Sequence, residues 1–241
     1  MVMSFLLLAT CAQAQQQGLG PPPPPPAPAM APATVSYSVE SENRDPRRFS
    51  LSIDLLGHAT YTAEEPAASD QGEQAAEGSA AAQPYRVQFD VSPAIRDRVF
   101  ALTQALEHFH GDFEFRKHSI ADTGRKTFRY SDFQGEGETV FHWSENKQMQ
   151  ALTELFESVA LTQNFGRRLL YLRRYDRLGL DATLKRMEEL AKGNYLSELQ
   201  AIAPVLRQVA GDASVMHVAR ERANRLLGLI AEAPAAASSP R

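Results

Sequence analysis

Cysteine is almost absent from this sequence, since Cys11 is the only one among its 241 residues. No disulfide can therefore form within the chain, and the residues that follow Cys11 include no thiol nucleophile. A chain of this length can bury enough apolar surface to fold without disulfide bonds. We therefore expect side-chain packing to stabilise the folded part.

A strong net charge is absent as well. The 25 lysines and arginines nearly balance the 29 aspartates and glutamates, which leaves a formal net charge of -4 at pH 7. This balance gives no reason to expect nucleic acid as a partner. The charged fraction of 22% is ordinary for a globular protein and argues against disorder of the whole chain.

The apolar run near the start of the chain is too short to cross a bilayer as a helix, since it covers only residues 2–9. The Ala-Gln-Ala sequence at residues 12–14 is typical of a cleavage site, so residues 1–14 predict a signal peptide and a secreted or periplasmic bacterial protein. The usual positive charge at its start is missing, because no Lys or Arg precedes Arg44. The Leu-Ala-Thr-Cys sequence that ends at Cys11 indicates the alternative, a lipoprotein anchored there. We expect no transmembrane span in the mature chain.

The motifs of common catalytic and phosphate-binding sites are missing too. The sequence contains no G-x-S-x-G elbow, no P-loop and no dinucleotide-binding glycine pattern. Ser144 and Lys147 match the S-x-x-K pattern of penicillin-binding enzymes, but the accompanying S-D-N and K-T-G elements do not occur. A serine also suits the residue just before a helix, where it accepts from free backbone N–H groups. We therefore interpret Ser144 as a helix cap.

Histidines and carboxylates are densest in residues 107–112, with His118 nearby. His108 and His110 would stand about 200° apart around a helix, so one ion could bind both only if the helix stopped between them. No H-E-x-x-H spacing occurs, and histidine is also favoured by the dipole at the end of a helix. We expect no metal and no cofactor; His108, His110 and His118 are the candidates if a metal does bind.

The clearest local pattern covers residues 85–110. Apolar residues alternate from Tyr85 to Val91, which predicts a strand with one buried face. Ser92 and Pro93 then suit the start of a helix. Apolar residues at spacings of three and four predict its buried stripe, and Gly111 its end. The stripe consists of Ile95, Val99, Leu102, Leu106 and Phe109.

Short alternating segments elsewhere predict further strands at residues 35–39, 49–55, 59–61, 113–115, 125–132 and 139–143. A helix with its buried side on Met149, Leu152, Leu155, Phe156 and Val159 follows them. From Phe165 the pattern is helical throughout, with breaks at Gly179, Gly193 and Gly211 and a split at Pro204. The predicted class is α+β: an antiparallel sheet with two packed helices, followed by a C-terminal all-helical hairpin bundle.

Composition divides the chain into segments. Residues 15–34 are rich in Pro and Gln and predict an extended spacer, while residues 63–83 lack large apolar side chains and predict a disordered acidic loop. The loop interrupts an α+β domain at residues 35–163, and a helical bundle at residues 164–231 follows. Residues 232–241 are Ala, Ser and Pro for the most part and predict a disordered tail.

A run of basic residues lies at the start of the helical part, from Arg167 to Arg186. Its arginines interleave with Leu and Tyr, which is typical either of a solvated helix face or of a surface for an anionic polymer, a lipid headgroup or an acidic partner. The candidate binding residues are Arg167, Arg168, Arg173, Arg174 and Arg177.

The order of elements across residues 49–162 resembles small secreted bacterial α+β domains of unknown function. The elements that carry the resemblance are the strand at residues 49–53 with Gly57 and Tyr61, the Ser92-Pro93 helix start, the strands at residues 127–130 and 139–143, and the helix at residues 149–159. The resemblance implies an extracytoplasmic domain and brings no catalytic residues.

We therefore expect a non-enzymatic binding module whose partner is an envelope protein or an anionic surface. The alternatives are a binder of anionic polymer or membrane through the basic run, and an envelope-acting hydrolase that uses a metal or a serine.

Overall fold

The computed structural model describes residues 32–64, 84–117 and 123–237, with the backbone alone described for residues 232–237. The predicted signal peptide, Cys11, His118 and nearly all of the predicted spacer and acidic loop lie outside these ranges.

The strands of the described residues form one antiparallel sheet in the order β4-β3-β2-β1-β5-β6. Alternation of apolar and polar residues buries one face, so that Val35, Tyr37 and Val39 point into the core while Ser36 and Ser38 lie on the other face. The strands are β1 Thr34–Glu40, β2 Arg48–Asp54, β3 His58–Ala63, β4 Tyr85–Asp90, β5 Arg125–Ser131 and β6 Glu136–Phe141.

The described helices are α1 Pro93–Ala105, α2 Lys147–Tyr175, α3 Gly179–Lys192, α4 Ala203–Ala210 and α5 His217–Ala237, with short 3-10 turns at Glu107–Phe109 and Leu199–Ile202. The predicted fold class is confirmed: α1 and α2 pack on the antiparallel sheet, and helices follow. No helix in the described ranges is both long enough and apolar enough to cross a membrane.

The core has two parts, and α2 belongs to both. Its first half places Met149, Leu152 and Phe156 against the buried face of the sheet. Its second half places Phe165 and Leu169 among the helices that follow. One continuous helix of 29 residues therefore crosses the predicted boundary between residues 163 and 164.

The helix α1 ends at Ala105, so the predicted end at Gly111 is wrong. Glu107, His108 and Phe109 instead adopt left-handed φ values of 51°, 54° and 69°. This turn keeps Phe109 in the core, where it is 1% exposed. The apolar stripe was therefore predicted correctly, although its last residue is held by a turn.

The cap of α2 is Asn146, so the predicted cap at Ser144 is wrong. The side chain of Asn146 accepts from the N–H groups of Gln148 and Met149 at 2.9 and 3.1 Å. Ser144 lies too early to reach them. The predicted strand at residues 113–115 is wrong as well, because this segment is irregular and Phe115 donates one backbone hydrogen bond, at 2.9 Å, to Trp143.

The glycines and the proline of the helical part act in different ways. Gly179 begins α3, whereas Gly193 and Gly211 cap the ends of α3 and α4. Pro204 lies in the first turn of α4, directly after a 3-10 turn, so the predicted split occurs there. The backbone of α5 stays helical to Ala237, past the predicted start of the tail at residue 232.

Candidate functional site

The structure separates the arginines of the basic run into two groups. Arg167 is 5% exposed and donates at 2.8 Å to Asp45, in the loop between β1 and β2. Arg173 donates at 2.9 Å to Asp212, in the turn after α4, and at 2.9 Å to Gln208. Both side chains therefore tie α2 to other parts of the chain.

The contact between Arg173 and Asp212 joins two charged groups. The Ser214 hydroxyl and the Arg173 guanidinium stabilise the ionised form of Asp212 and lower the pKa of its carboxyl group to about 2. Asp212 is therefore charged at neutral pH, and Arg173 is held by a charge-assisted hydrogen bond.

The other three arginines, Arg168, Arg174 and Arg177, are exposed. They lie beside Tyr171, Tyr175 and Leu178, which are 47%, 63% and 76% exposed. We call these six residues the arginine–tyrosine surface.

Helical spacing explains how this surface forms. Residues 168, 171 and 175 are three and four apart and share the outer face of α2, while Phe165, Leu169 and Leu172 face the core. The rings of Tyr171 and Tyr175 lie 5.0 Å apart, and the guanidinium of Arg174 lies 5.2 Å from the ring of Tyr175. The end of α2 and the turn after it thus expose two tyrosines and a leucine together with three arginines.

The nearby acidic groups neutralise this charge only in part. Arg168 lies 4.0 Å from Asp45, whose other oxygen binds Arg167. Asp176 accepts from the backbone N–H of Gly179 at 3.2 Å. In the described ranges, neither Arg174 nor Arg177 forms an ion pair within 4.0 Å. The Nε atom of Arg177 donates to the backbone oxygen of Arg173 at 3.2 Å, which leaves the charge of its guanidinium without an acidic partner.

The histidine candidates are held by neighbouring groups of the chain. The ring of His108 lies 4.4 Å from that of Tyr130, whose hydroxyl donates to Asp132 at 2.8 Å. The Nδ1 atom of His110 lies 2.9 Å from the carbonyl oxygen of Glu107. Within the part of the chain that the structure describes, no three His, Cys, Asp or Glu side chains are arranged to hold a metal ion.

Ser144 is 3% exposed, and its hydroxyl accepts from the N–H of Asn146 at 3.3 Å. His142, two residues before Ser144, pairs with Glu114, with 3.2 Å between Nδ1 and Oε2. Across residues 32–64, 84–117 and 123–231, no hydrogen bond joins the Ser144 hydroxyl to a histidine or a lysine. The contact that would activate a serine nucleophile is thus not made among these residues.

A cavity of about 150 Å³ was not predicted from the sequence. It lies where the loop between β1 and β2 meets β3 and α2, so three separate segments of the chain line it. Its polar lining consists of Arg44, Asp45, Tyr61, Glu157 and Asn164. Arg44 and Asp45 are adjacent, and Glu157 and Asn164 lie two turns apart on α2, but only the folded chain brings the loop, β3 and α2 together.

Comparison with protein-family models finds no match, and no curated protein matches the sequence. The function is therefore inferred from the arginine–tyrosine surface itself.

Proposed function

We propose that this protein is a non-enzymatic binding module that attaches to an anionic membrane surface through its arginine–tyrosine surface. The observation that carries the proposal is the exposure of Tyr171, Tyr175 and Leu178 beside three exposed arginines. Tyrosine and leucine favour the boundary between headgroups and acyl chains, and arginine binds lipid phosphates in a bidentate manner.

The charge pattern supports a localised contact. The whole chain carries a net charge of -4, so it is not attracted to anions in general. Each arginine close to an anionic leaflet contributes about 1 kcal/mol to the free energy of binding, so the three arginines contribute about 3 kcal/mol. The apolar contact adds to this. Attachment of this strength is reversible. The predicted signal peptide would bring the surface to the anionic membranes of a bacterial envelope.

The test is sedimentation with lipid vesicles. Wild-type protein should bind vesicles that contain phosphatidylglycerol, bind phosphatidylcholine vesicles much more weakly, and dissociate as salt concentration rises. The double variant Arg174→Gln/Arg177→Gln should bind the anionic vesicles about 30-fold more weakly, because two contributions of about 1 kcal/mol are removed. The variant Tyr175→Ser/Leu178→Ser should lose affinity while keeping the salt dependence.

The matched control is Arg86→Gln/Arg98→Gln, which makes the same change in net charge at exposed residues of β4 and α1. This control should bind as the wild type does. Equal binding of the wild type to both vesicle types would contradict the proposal. So would an equal loss of affinity in Arg174→Gln/Arg177→Gln and in the control Arg86→Gln/Arg98→Gln. Binding of a soluble polyanion such as heparin without vesicle binding would exclude a membrane as the target.

A further inference from the structure

The strand β4 forms an open edge of the sheet. It lies at one end of the strand order and, among the described residues, pairs only with β3. Val91 donates to the backbone oxygen of Gly57 at 2.9 Å, which continues the ladder between the two strands. Because hydrogen-bonded pairs recur at every second residue, the backbone groups of residues 85, 87 and 89 point toward β3. Those of Arg86, Gln88 and Asp90 point away from the sheet.

This open edge has defined ends. Pro84 lacks an N–H group, and the N–H of Ser92 is donated to Glu198 at 2.9 Å. Between these ends, three residues offer an N–H and a carbonyl group each. Proteins commonly protect an open edge with proline, lysine or a bulge, but residues 85–90 contain none of these. The edge is therefore able to accept another strand.

The side chains of β4 indicate what kind of strand it accepts. Those on the outer face of the sheet are polar and exposed. Those on the inner face, Tyr85, Val87 and Phe89, are only half-buried although they pack on the core. A suitable partner strand therefore carries apolar side chains on one face and polar or charged side chains on the other.

The sequence of β4 is complementary to itself in one antiparallel register. With Gln88 opposite Gln88 of a second copy, Arg86 lies opposite Asp90 of that copy and Asp90 opposite its Arg86. The same register places Val87 opposite Phe89 in both directions on the inner face. It also makes residues 86, 88 and 90 the hydrogen-bonded ones, and their backbone groups are those that point outward. Charge, apolar contact and hydrogen bonding thus favour the same register.

The charges at this edge are available for such a contact. In the described ranges, Arg86 forms no ion pair within 4.0 Å. Asp90 contacts His58 through Oδ1, at 2.7 Å from Nδ1, and its side chain stays 80% exposed. A guanidinium opposite Asp90 can therefore reach the second carboxylate oxygen.

The other edge of the sheet, β6, lacks this complementarity. The corresponding register of β6 would place Glu138 opposite Glu138 of the second copy, and like charges directly opposite each other are unfavourable. The backbone of His108 also lies against Gly137 of this strand. Of the two edges, β4 is therefore the one suited to a second copy.

We propose that two copies of this chain associate through β4 into a symmetric dimer with one continuous antiparallel sheet and Gln88 at the two-fold axis. Strands of six residues bury a small interface, so we expect association at roughly tens of micromolar protein. Vesicle binding measured at about 1 µM protein with lipid in excess therefore compares monomers. Its control Arg86→Gln/Arg98→Gln is then unaffected by association.

Sedimentation equilibrium of the full chain tests the dimer. The wild type should pass from monomer to dimer between about 1 and 200 µM. Arg86→Glu and Asp90→Arg should each weaken association at least about tenfold, because each places like charges opposite each other twice. The double variant Arg86→Glu/Asp90→Arg restores opposite charges and should return to within about threefold of the wild-type affinity. This rescue separates a lost contact from a folding defect.

A disulfide tests the register. In a Cys11→Ser background, which removes the only native cysteine, Gln88→Cys should form a disulfide-linked dimer with oxidised glutathione as the oxidant. Opposite Cα atoms at such a pair lie about 5.5 Å apart, within the disulfide range of roughly 4.4–6.8 Å. Thr60→Cys is the matched control, since Thr60 is the neighbour of Gln88 on β3. Its copies would lie about 14 Å apart, too far to link.

Three results would overturn the proposal. The first is a wild-type chain that stays monomeric at roughly 200 µM, which would leave this edge to a different strand. The second is association that Arg86→Glu and Asp90→Arg leave unchanged. The third is a disulfide that forms as readily in Thr60→Cys as in Gln88→Cys. Arg174→Gln/Arg177→Gln should associate as the wild type does, so the dimer and the membrane contact are tested separately.

Discussion

At the scale of single residues, Gly137 shows how closely the chain packs on itself. A Cβ atom at this position of β6 would lie 1.8 Å from the carbonyl oxygen of His108. His108 is the middle residue of the left-handed turn after α1, so the turn is seated directly on β6. Gly137 is required because the backbone of His108 leaves no room for a Cβ atom.

We predict that Gly137→Ala destabilises the protein by about 3 kcal/mol or more, because backbone rather than a flexible side chain must move. Gly135→Ala is the matched control, since no atom lies within 4 Å of a Cβ at that position. It should change stability by less than about 0.5 kcal/mol. Denaturant unfolding of both variants checks the prediction, and equal stability of the two would contradict it.

The candidate binding residues illustrate the limits of reading single residues from the sequence. The basic run is recognisable in the sequence, but nothing in the sequence distinguishes the arginines that pair within the chain from those that stay exposed. Only the fold shows that Arg167 and Arg173 bind Asp45 and Asp212, while Arg174 and Arg177 remain available. Whether these residues bind a partner remains a prediction.

At the scale of elements, α2 begins after a loop that carries two possible caps. Ser144 and Asn146 are both good capping residues, and the sequence does not choose between them. The structure places Asn146 where its side chain meets the N–H groups of Gln148 and Met149. Which of the two residues caps the helix depends on the path of the chain after β6, which ends at Phe141.

Asn146→Ala should lower stability by about 1 kcal/mol, because two N–H groups at the start of α2 lose their acceptor. Asn146→Asp keeps the acceptor and adds a charge that the helix dipole favours, so it should be neutral or stabilising. Thermal unfolding at neutral pH measures both. If Asn146→Asp were as destabilising as Asn146→Ala, the capping role would be wrong.

A second junction between elements was not foreseen. Glu198, in the left-handed region at φ 61°, accepts from the backbone N–H of Ser92 at 2.9 Å and from its hydroxyl at 2.6 Å. The carboxylate thus meets the free N–H end of α1, where the helix dipole favours negative charge. Ser92 was predicted as the cap of α1, and it accepts from Ile95 at 3.4 Å.

At the scale of the whole molecule, the described residues 32–64, 84–117 and 123–237 belong to one compact unit. The continuous α2 helix contributes side chains to both parts of the core. The Ser92–Glu198 and Asp45–Arg167 contacts also cross between the sheet region and the later helices. We therefore expect the two parts to unfold together.

Fluorescence of Trp143, the only tryptophan, and circular dichroism of the helices should report the same midpoint of unfolding. Leu161→Pro should break α2 where the two core parts meet, cost about 3 kcal/mol or more, and separate the two transitions. Leu161→Ala is the control and should keep a single transition at lower stability. Separate midpoints in the wild type would show that the two parts unfold independently.

The sequence by itself determined the fold class, the alternation of the strands and the buried stripes of the helices. These features follow from side-chain spacing within one element, because a strand repeats every two residues and a helix about every 3.6. Tertiary structure alone decided the end of α1, the cap of α2, the continuity of α2 and the pairing of Arg167 and Arg173. It also brought Tyr61, Arg44 and Glu157 to one cavity. The end of α1, the pairing of the two arginines and the cavity depend on contacts between residues far apart in the chain, and local spacing carries no information about such contacts. The cap of α2 is a local contact, but two neighbouring residues are both suited to make it.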